Sequence, residues 1–304
     1  MHRYSGFLLC IVLSACSSLC RAAAEEPNVT SEEVSFASAG VTLAGTLFRP
    51  EHPVAAVVVV HGSGQEKRMS RFAALLAKNG IAALTYDKRG VGQSGGVYVG
   101  PEVGSNNVDQ ANLALLAADA NAAVGVLSER LSADPRPVGL LGYSQAGWVI
   151  PIAAQNNRAV KFMVLFSGPV ATTREQLRFQ FFTEGNPAFW DTHSEAEARK
   201  HISGDADRYE FVDTDPRDAL AKLSIRGLWL FGGKDVQAPV QLSIERLDAL
   251  DAHGKLYEHR LFPTLGHNVA FAKSDASEAV VAEAVQWIQS VAAELPPGGN
   301  RRHR

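Results

Sequence analysis

The chain has 304 residues, of which 46% are hydrophobic and 20% are charged, and its formal net charge at pH 7 is -3. This is the composition of a globular protein long enough for one large domain with a sizeable core. The slightly acidic balance and the lack of a long basic stretch exclude an electrostatic footprint for nucleic acid. All three cysteines, Cys10, Cys16 and Cys20, lie within the first 24 residues. The rest of the chain therefore has neither a disulfide nor a catalytic thiol.

The first 24 residues have the pattern of a secretory signal. Arg3 precedes the apolar run 7–13, which is too short to span a bilayer, and small residues follow it. Two processing sites compete: cleavage after Ala24, and a lipobox-like stretch at 13–16 that would place a lipid on Cys16. We therefore expect an exported protein, periplasmic or secreted, with membrane attachment only through a lipid on Cys16.

From residue 25 onwards the pattern alternates between strands and helices. Residues 34–36 and 41–48 alternate apolar and polar on either side of Ala39-Gly40, which is typical of an antiparallel hairpin. The continuous valine-rich run 54–60 indicates a strand buried on both faces. Further strands are predicted at 81–86, 138–142, 162–166, 227–231 and 257–262. Helices are predicted at 70–79, 108–127, 145–155, 240–250 and 275–295.

This alternation predicts an α/β fold with a mostly parallel sheet and helices on both faces. It stops at about 171–223, a polar, aromatic and helical stretch that we interpret as a lid insertion over the carboxyl edge of the sheet, where open α/β folds bind ligands. The aromatic residues within 179–190 either line an acyl pocket beneath this lid or form its own small core. The domain is predicted to cover 25–298, with a disordered tail at 299–304.

The strongest chemical signal is the stretch 142–147, Gly-Tyr-Ser-Gln-Ala-Gly, between a predicted buried strand and a predicted helix. Small residues two positions before and after Ser144 let a strand and a helix approach closely around a sharp turn. Such a turn exposes the serine hydroxyl above the sheet. It also directs the backbone amide of Gln145, at the helix N-terminus, toward an oxyanion. Ser144 is the predicted nucleophile.

A serine nucleophile needs a base, and His267 is the histidine whose position fits that role. It lies between the last predicted strand and the final predicted helix, and the neighbouring Gly266 suits a tight loop. His61 follows a buried strand within a glycine-rich stretch, and we expect it to shape that loop. No histidines stand at ligand spacing from one another, so neither a metal site nor a cofactor is predicted.

The chain resembles the α/β-hydrolase superfamily, and within it the bacterial branch of esterases and serine aminopeptidase-like (S33-type) hydrolases. Residues 61–64, His-Gly-Ser-Gly, are similar to the family's oxyanion loop, and residues 87–94 resemble its Asp-x-Arg-Gly-x-Gly-x-Ser segment. The resemblance covers about 33–295. Ala146 departs from the glycine that is commonest in the family's nucleophile turn, so a slightly wider turn is expected.

The resemblance implies that Asp235, after the strand 227–231, is the acid that orients His267. The chain order serine, aspartate, histidine is the one expected for this fold. It also implies that a backbone N–H of the loop after the first buried strand stabilises the oxyanion together with that of Gln145. Ser63 and Gly64 are both candidates, and the resemblance favours Ser63. Weaker candidates for the acid lie within the insertion, namely Asp213, Asp215 and Asp218.

The expected function is a serine hydrolase that cleaves small-molecule carboxylic esters through an acyl-enzyme. A serine aminopeptidase or amidase is the main alternative, followed by a thioesterase and by a non-catalytic binding protein on the same fold. An aminopeptidase would need a carboxylate in the lid to bind the substrate ammonium group. The acidic residues available there are Glu175, Glu184 and Asp205.

Overall fold

The computed structural model describes residues 28–206 and 209–295. The predicted signal segment, the lipid-attachment site at Cys16 and the tail at 299–304 lie outside these residues. Eight strands form one sheet: β1 Val29–Ser38, β2 Val41–Pro50, β3 Ala55–Val60, β4 Ile81–Tyr86, β5 Val138–Tyr143, β6 Val160–Phe166, β7 Arg226–Gly232 and β8 Tyr257–Phe262.

The strands lie in the order β1-β2-β4-β3-β5-β6-β7-β8. β1 pairs antiparallel with β2, and β2 antiparallel with β4, whereas every other pair is parallel. The predicted mostly parallel sheet is therefore confirmed. The described helices are α1 Ser70–Lys78, α2 Ser105–Val108, α3 Gln110–Arg130, α4 Ala146–Gln155, α5 Thr173–Thr183, α6 Phe189–Thr192, α7 Glu195–Gly204, α8 Arg217–Leu220, α9 Val240–Ala252 and α10 Asp275–Glu294.

The central strands are buried on both faces, as their continuous apolar runs indicate. Alternate residues contribute to two separate cores. Val58 and Leu140 belong to the core that includes buried residues of α3 and α4. Val57 and Leu141 belong to the core that includes buried residues of α1 and α10. Helices therefore cover both faces of the sheet, and the loops at its edges are the parts left accessible.

Several element boundaries differ from the sequence prediction, and two of these differences have a clear structural reason. β1 begins at Val29, five residues earlier than predicted, because its exposed first half pairs with β2 through backbone hydrogen bonds that leave no apolar pattern. The predicted helix 108–127 is divided at Asp109, which has extended backbone angles and whose carboxylate accepts a hydrogen bond from the Ala111 N–H at 2.9 Å. This N-cap starts α3 anew after α2.

The insertion carries the four helices α5 to α8 between β6 and β7. Phe179 and Phe189 are fully buried, and Phe179 forms a small cluster with Ala198 and Ile202 of α7. Of the two interpretations of the aromatic residues, the contacts of this cluster favour the insertion's own core. Phe181 is the exception, since it is 43% exposed.

The close approach of β5 and β6 makes a test of this packing. A methyl group on Gly139 would lie 2.1 Å from the Phe162 ring, whereas one on Gly125, in the exposed face of α3, would meet nothing within 4 Å. We expect Gly139→Ala to lower the free energy of unfolding by about 1–3 kcal/mol through overpacking. The matched change Gly125→Ala is expected to raise it by up to about 1 kcal/mol through helix propensity. Urea denaturation of both variants measures this, and equal effects would contradict the packing described.

Candidate active site

Ser144 occupies the turn between β5 and α4 in a left-handed backbone conformation, with φ of +53°. A non-glycine residue in this region costs of order 1–3 kcal/mol, which the surrounding structure must offset. The Ser144 N–H donates to the Phe166 carbonyl at 3.0 Å, and the Gly147 N–H donates to the Ser144 carbonyl at 2.8 Å. Small residues are needed here, since a methyl group on Gly142 would lie 2.5 Å from Cβ of Ala146. The serine is therefore held in a fixed, strained turn.

His267 bridges the other two residues that the sequence singled out. Its Nε2 lies 2.9 Å from Oγ of Ser144, and its Nδ1 lies 2.8 Å from Oδ2 of Asp235. The His267 side chain is 9% exposed and the Asp235 side chain is fully buried. Both distances are those of hydrogen bonds, so the three side chains form one continuous chain of polar contacts.

The carboxylate of Asp235 is fixed from behind. Its Oδ1 accepts hydrogen bonds from the backbone N–H groups of Gln237 at 2.7 Å and Ala238 at 2.8 Å. The other oxygen, Oδ2, is thereby directed toward the imidazole. A carboxylate in this position selects the ring tautomer with the proton on Nδ1 and leaves Nε2 of His267 as an acceptor facing the serine.

The loop that carries His267 is held by residues that the sequence analysis missed. Ser167, at the carboxyl end of β6, donates its hydroxyl proton to the His267 carbonyl at 2.6 Å. Gly232, the last residue of β7, must lack a side chain because a methyl group there would lie 2.3 Å from the Gly266 carbonyl. Phe271 packs edge-on against Tyr143, with ring centroids 5.0 Å apart. A polar residue directly after a buried strand, as at Ser167, was the available signal.

The loop after β3 begins with His61, which is buried and whose Nε2 lies 2.6 Å from the Tyr86 carbonyl. Burial, reinforced by the nearby Lys88 ammonium, lowers the pKa of His61 to about 3. The ring is therefore neutral at physiological pH, and it donates from Nε2 to the carbonyl. His61 shapes the loop, as the sequence predicted.

The next two peptide groups of this loop are also fixed. The Gly62 carbonyl accepts from the Lys88 ammonium at 2.6 Å. The Ser63 carbonyl accepts from the Tyr98 hydroxyl at 2.7 Å and from the Asn107 side-chain amide at 3.1 Å. Lys88, Tyr98 and Asn107 were not singled out by the sequence, although Lys88 stands at the variable position of the Asp-x-Arg-Gly segment.

The charged residues on either side of Lys88 hold the loop that contains residues 87–94. Asp87 forms an ion pair with Arg68 at 3.1 Å and accepts from the Gln93 N–H at 2.9 Å. Arg89 is buried and its Nε donates to Asp119 at 3.0 Å. Asp87 and Arg89 thus stabilise the loop through ion pairs and a backbone hydrogen bond.

The serine aminopeptidase S33 family matches residues 51–229, which is more than half of the chain. The chain belongs to this family. Together with the fold, the match makes the protein an α/β-hydrolase and a serine hydrolase.

Solved structures with the same fold include enzymes of different specificity. An esterase of Pyrococcus furiosus aligns with a TM-score of 0.61 and 15% identity, over 87% of this chain and 91% of its own. The acylaminoacyl peptidase of Pyrococcus horikoshii aligns with a TM-score of 0.61 and 15% identity, over 91% of this chain and 43% of its own. At this identity the likeness is one of fold.

Two Mycobacterium tuberculosis proteins, provisionally named phosphoribosyl transferases, are 30% identical to this chain over 139 residues. The matched part is 45% of this chain and 29% of those proteins. The chain thus spans less than a third of the length of these curated relatives, and their name concerns a much longer protein.

Two of the weaker acid candidates of this serine hydrolase have other partners. Asp213 accepts from the Thr173 hydroxyl at 2.7 Å, and Asp215 accepts from Nε of Arg217 at 2.9 Å. Within residues 28–206 and 209–295, no group of three or more histidine, cysteine or acidic side chains has the arrangement of a metal site. The described residues therefore offer no ligand set for a metal.

The buried imidazole of His61 leads to a pH prediction. Its folded-state pKa of about 3 lies below the unfolded value near 6.5, so between these values the unfolded chain binds a proton that the folded protein does not. The contribution of His61 to stability is therefore full above pH 6.5 and is lost as the pH falls. From pH 7 to pH 5 we expect this group to remove about 2 kcal/mol from the free energy of unfolding.

The pH dependence of the wild type is compared with that of His61→Gln, whose side chain keeps a hydrogen-bond donor and does not titrate. Urea denaturation of both proteins at pH 7 and pH 5 gives the two pH dependences, and contributions from all other groups cancel in their difference. We expect the variant to lose less stability than the wild type over this range. Equal losses would mean that the imidazole is not buried in its neutral form.

Proposed function

We propose that this protein hydrolyses carboxylic esters through an acyl-enzyme, with Ser144 as nucleophile, His267 as general base and Asp235 as the residue that orients His267. One observation carries the proposal: the unbroken hydrogen-bond chain from the strained serine through the imidazole to a fully buried carboxylate. A nucleophile and a base within hydrogen-bond reach, with the base oriented by a third group, is the arrangement that activates a hydroxyl.

In the first half-reaction, Oγ of Ser144 attacks the ester carbonyl carbon while Nε2 of His267 takes the hydroxyl proton. The buried carboxylate of Asp235 stabilises the imidazolium that forms. The backbone N–H groups of Ser63 and Gln145 donate to the oxyanion, and each such donor contributes about 3 kcal/mol to lowering the barrier. As the tetrahedral intermediate collapses, His267 returns the proton to the leaving alkoxide, which departs as the alcohol.

In the second half-reaction, water attacks the acyl-enzyme carbonyl and His267 takes a proton from that water. The second tetrahedral intermediate again places its oxyanion between the two backbone donors. Its collapse breaks the bond to Oγ of Ser144, which recovers a proton from the imidazolium. The carboxylic acid product leaves and the enzyme returns to its starting state.

The partners of the acidic residues in the insertion favour an ester over an N-terminal peptide as substrate. Glu175 forms a bidentate pair with Arg246 at 2.6 and 2.7 Å. Asp205 lies 2.9 Å from the His201 ring, and Glu184 is exposed at the C-terminal end of α5. Two of the three lid carboxylates that could bind a substrate ammonium group are thus already paired within the protein.

An aminopeptidase is the second candidate function, and a different observation favours it. Glu66 and Glu102 lie beside the oxyanion loop, because a methyl group on Gly64 would be 3.0 Å from Oε1 of the first and 3.5 Å from Oε2 of the second. Two carboxylates in this position suit a substrate ammonium group close to the scissile carbonyl. The family match to serine aminopeptidases adds weight to this alternative.

Ser144→Ala tests the nucleophile. We expect it to lower kcat for p-nitrophenyl butyrate by about 10⁴-fold or more, because covalent catalysis is lost. Asp235→Asn is expected to lower kcat by about 10³- to 10⁴-fold, since the amide no longer selects the required tautomer of His267. Ser203→Ala, on the exposed surface of α7, is the matched control and keeps wild-type activity.

Labelling identifies the nucleophile independently of any substrate. A fluorophosphonate should modify the wild type on the peptide that contains Ser144 and should leave Ser144→Ala unmodified, as read by mass spectrometry. A panel of p-nitrophenyl esters and aminoacyl p-nitroanilides then compares kcat/KM for the two candidate functions. Activity that persists in Ser144→Ala, or labelling on another serine, would refute the assignment, whereas a preference for the anilides would favour the aminopeptidase.

A further inference from the structure

Lys88 is a buried cation that the proposed reaction does not use. The residue is only 3% exposed. The ammonium donates to the Gly62 carbonyl at 2.6 Å and to Oε1 of Gln145 at 2.9 Å. It also lies 5.5 Å from the ring centroid of Tyr98. Placing an ammonium group in the interior is unfavourable unless its hydrogen bonds are well made.

The first of these bonds acts on the loop after β3. The Gly62 carbonyl belongs to the same planar peptide group as the N–H of Ser63, and in a trans peptide the two bonds point in opposite directions. An ammonium held on this carbonyl therefore fixes the direction of the Ser63 N–H. Rotation of this peptide would require breaking the hydrogen bond to Lys88.

The second bond acts on the start of α4. Gln145 is 1% exposed and supplies the other backbone N–H of the proposed oxyanion hole. Lys88 holds its side-chain oxygen, while its side-chain nitrogen donates to the Asn107 carbonyl at 2.9 Å. Asn107 in turn donates to the Ser63 carbonyl at 3.1 Å. The two proposed donor residues are thus joined by one buried polar network.

The geometry points to Lys88 as a positioning residue that keeps the backbone N–H groups of Ser63 and Gln145 directed toward the same oxyanion. This inference rests on the proposed function, and the Lys88 ammonium donates to the Gly62 carbonyl and the Gln145 side chain rather than to Ser144 or His267. Burial lowers the pKa of Lys88 to about 8, which the carboxylates of Glu66 and Glu102 partly oppose.

The test replaces the cation with an uncharged side chain of similar length. Lys88→Met is expected to lower kcat/KM for the ester about 10- to 100-fold, less than the outright removal of an oxyanion donor. The loss falls on kcat, with KM changed by no more than about twofold, because only the transition state carries the oxyanion.

A trifluoromethyl ketone with the acyl group of the substrate reports on the oxyanion directly. Oγ of Ser144 bonds to the ketone carbon, its proton passes to His267, and the ketone oxygen becomes the anion. We expect the inhibition constant of this ketone to rise in Lys88→Met by the same factor as the fall in kcat/KM. The inhibition constant of the corresponding unfluorinated alcohol, which forms no oxyanion, should stay within about twofold of the wild-type value.

Tyr257→Phe is the control for loss of a buried hydrogen bond. It removes a hydroxyl that donates to the Leu220 carbonyl at 2.7 Å, at the start of β8 and away from the carboxyl edge. We expect it to lower the free energy of unfolding by about 1 kcal/mol and to leave kcat and both inhibition constants unchanged. Reduced activity in Lys88→Met alone separates positioning from general stability.

Wild-type kcat/KM and ketone affinity in Lys88→Met would overturn the inference while leaving the proposed function intact. If Lys88→Met does not fold, Gln145→Met gives the answer, because it keeps the backbone N–H and removes one of the two acceptors of Lys88. It is expected to show a smaller, parallel change in kcat and ketone affinity, and wild-type values there would also overturn the inference. Failure of the proposed function differs, since the wild type itself would then show no Ser144-dependent hydrolysis.

Discussion

Parallel pairing of β5, β6, β7 and β8 brings the carboxyl ends of these strands to one edge of the sheet, and the loops that leave this edge carry the candidate site. Ser144 follows β5, Ser167 follows β6, and Asp235 follows β7. Backbone hydrogen bonds continue the pairing past the strand ends: the Ser144 N–H donates to the end of β6, and the Ser167 N–H donates to Leu230 of β7 at 2.8 Å. The separation of the loops is thus set by the spacing of the strands.

Around this edge the protein buries charge and tolerates strained backbone. Arg89 and Asp119 are buried as a pair, Lys88 is buried on two acceptors, and both Ser144 and Ser167 have positive φ. Each arrangement is unfavourable alone and persists because the two apolar cores on either side of the sheet hold the elements in place. What these contacts share is that they fix loops. Backbone N–H groups that stabilise an oxyanion must stay in place while its negative charge develops, and fixed loops meet this requirement.

The insertion is hydrogen-bonded to the loop that carries Asp235. The Thr183 hydroxyl at the end of α5 donates to the Val236 carbonyl at 2.6 Å, and the Trp190 indole donates to the Asp235 carbonyl at 2.8 Å. Two hydrogen bonds therefore connect the insertion directly to the loop that carries the residue proposed to orient His267. An esterase and a peptidase share this fold, and the fold does not choose between substrates. The two proposed activities differ in how they use two features: the carboxylates of Glu66 and Glu102 beside Gly64, and the pairing of Glu175 with Arg246.

The sequence by itself determined the parallel sheet with helices on both faces, because valine-rich runs and helical periodicity record burial directly. It also singled out Ser144, whose small neighbours are a local requirement of a sharp turn. Asp235 and His267 were selected by chain order and resemblance, and their catalytic roles remain predictions. Only the tertiary structure decided the strand order, the length of the exposed half of β1 and the core of the insertion. It alone revealed Lys88 and Ser167, whose partners lie 57 and 100 residues away in the chain. Contacts over such separations arise from how the loops fold over the sheet edge, so a local pattern can mark a residue such as Ser167 but cannot identify its partner.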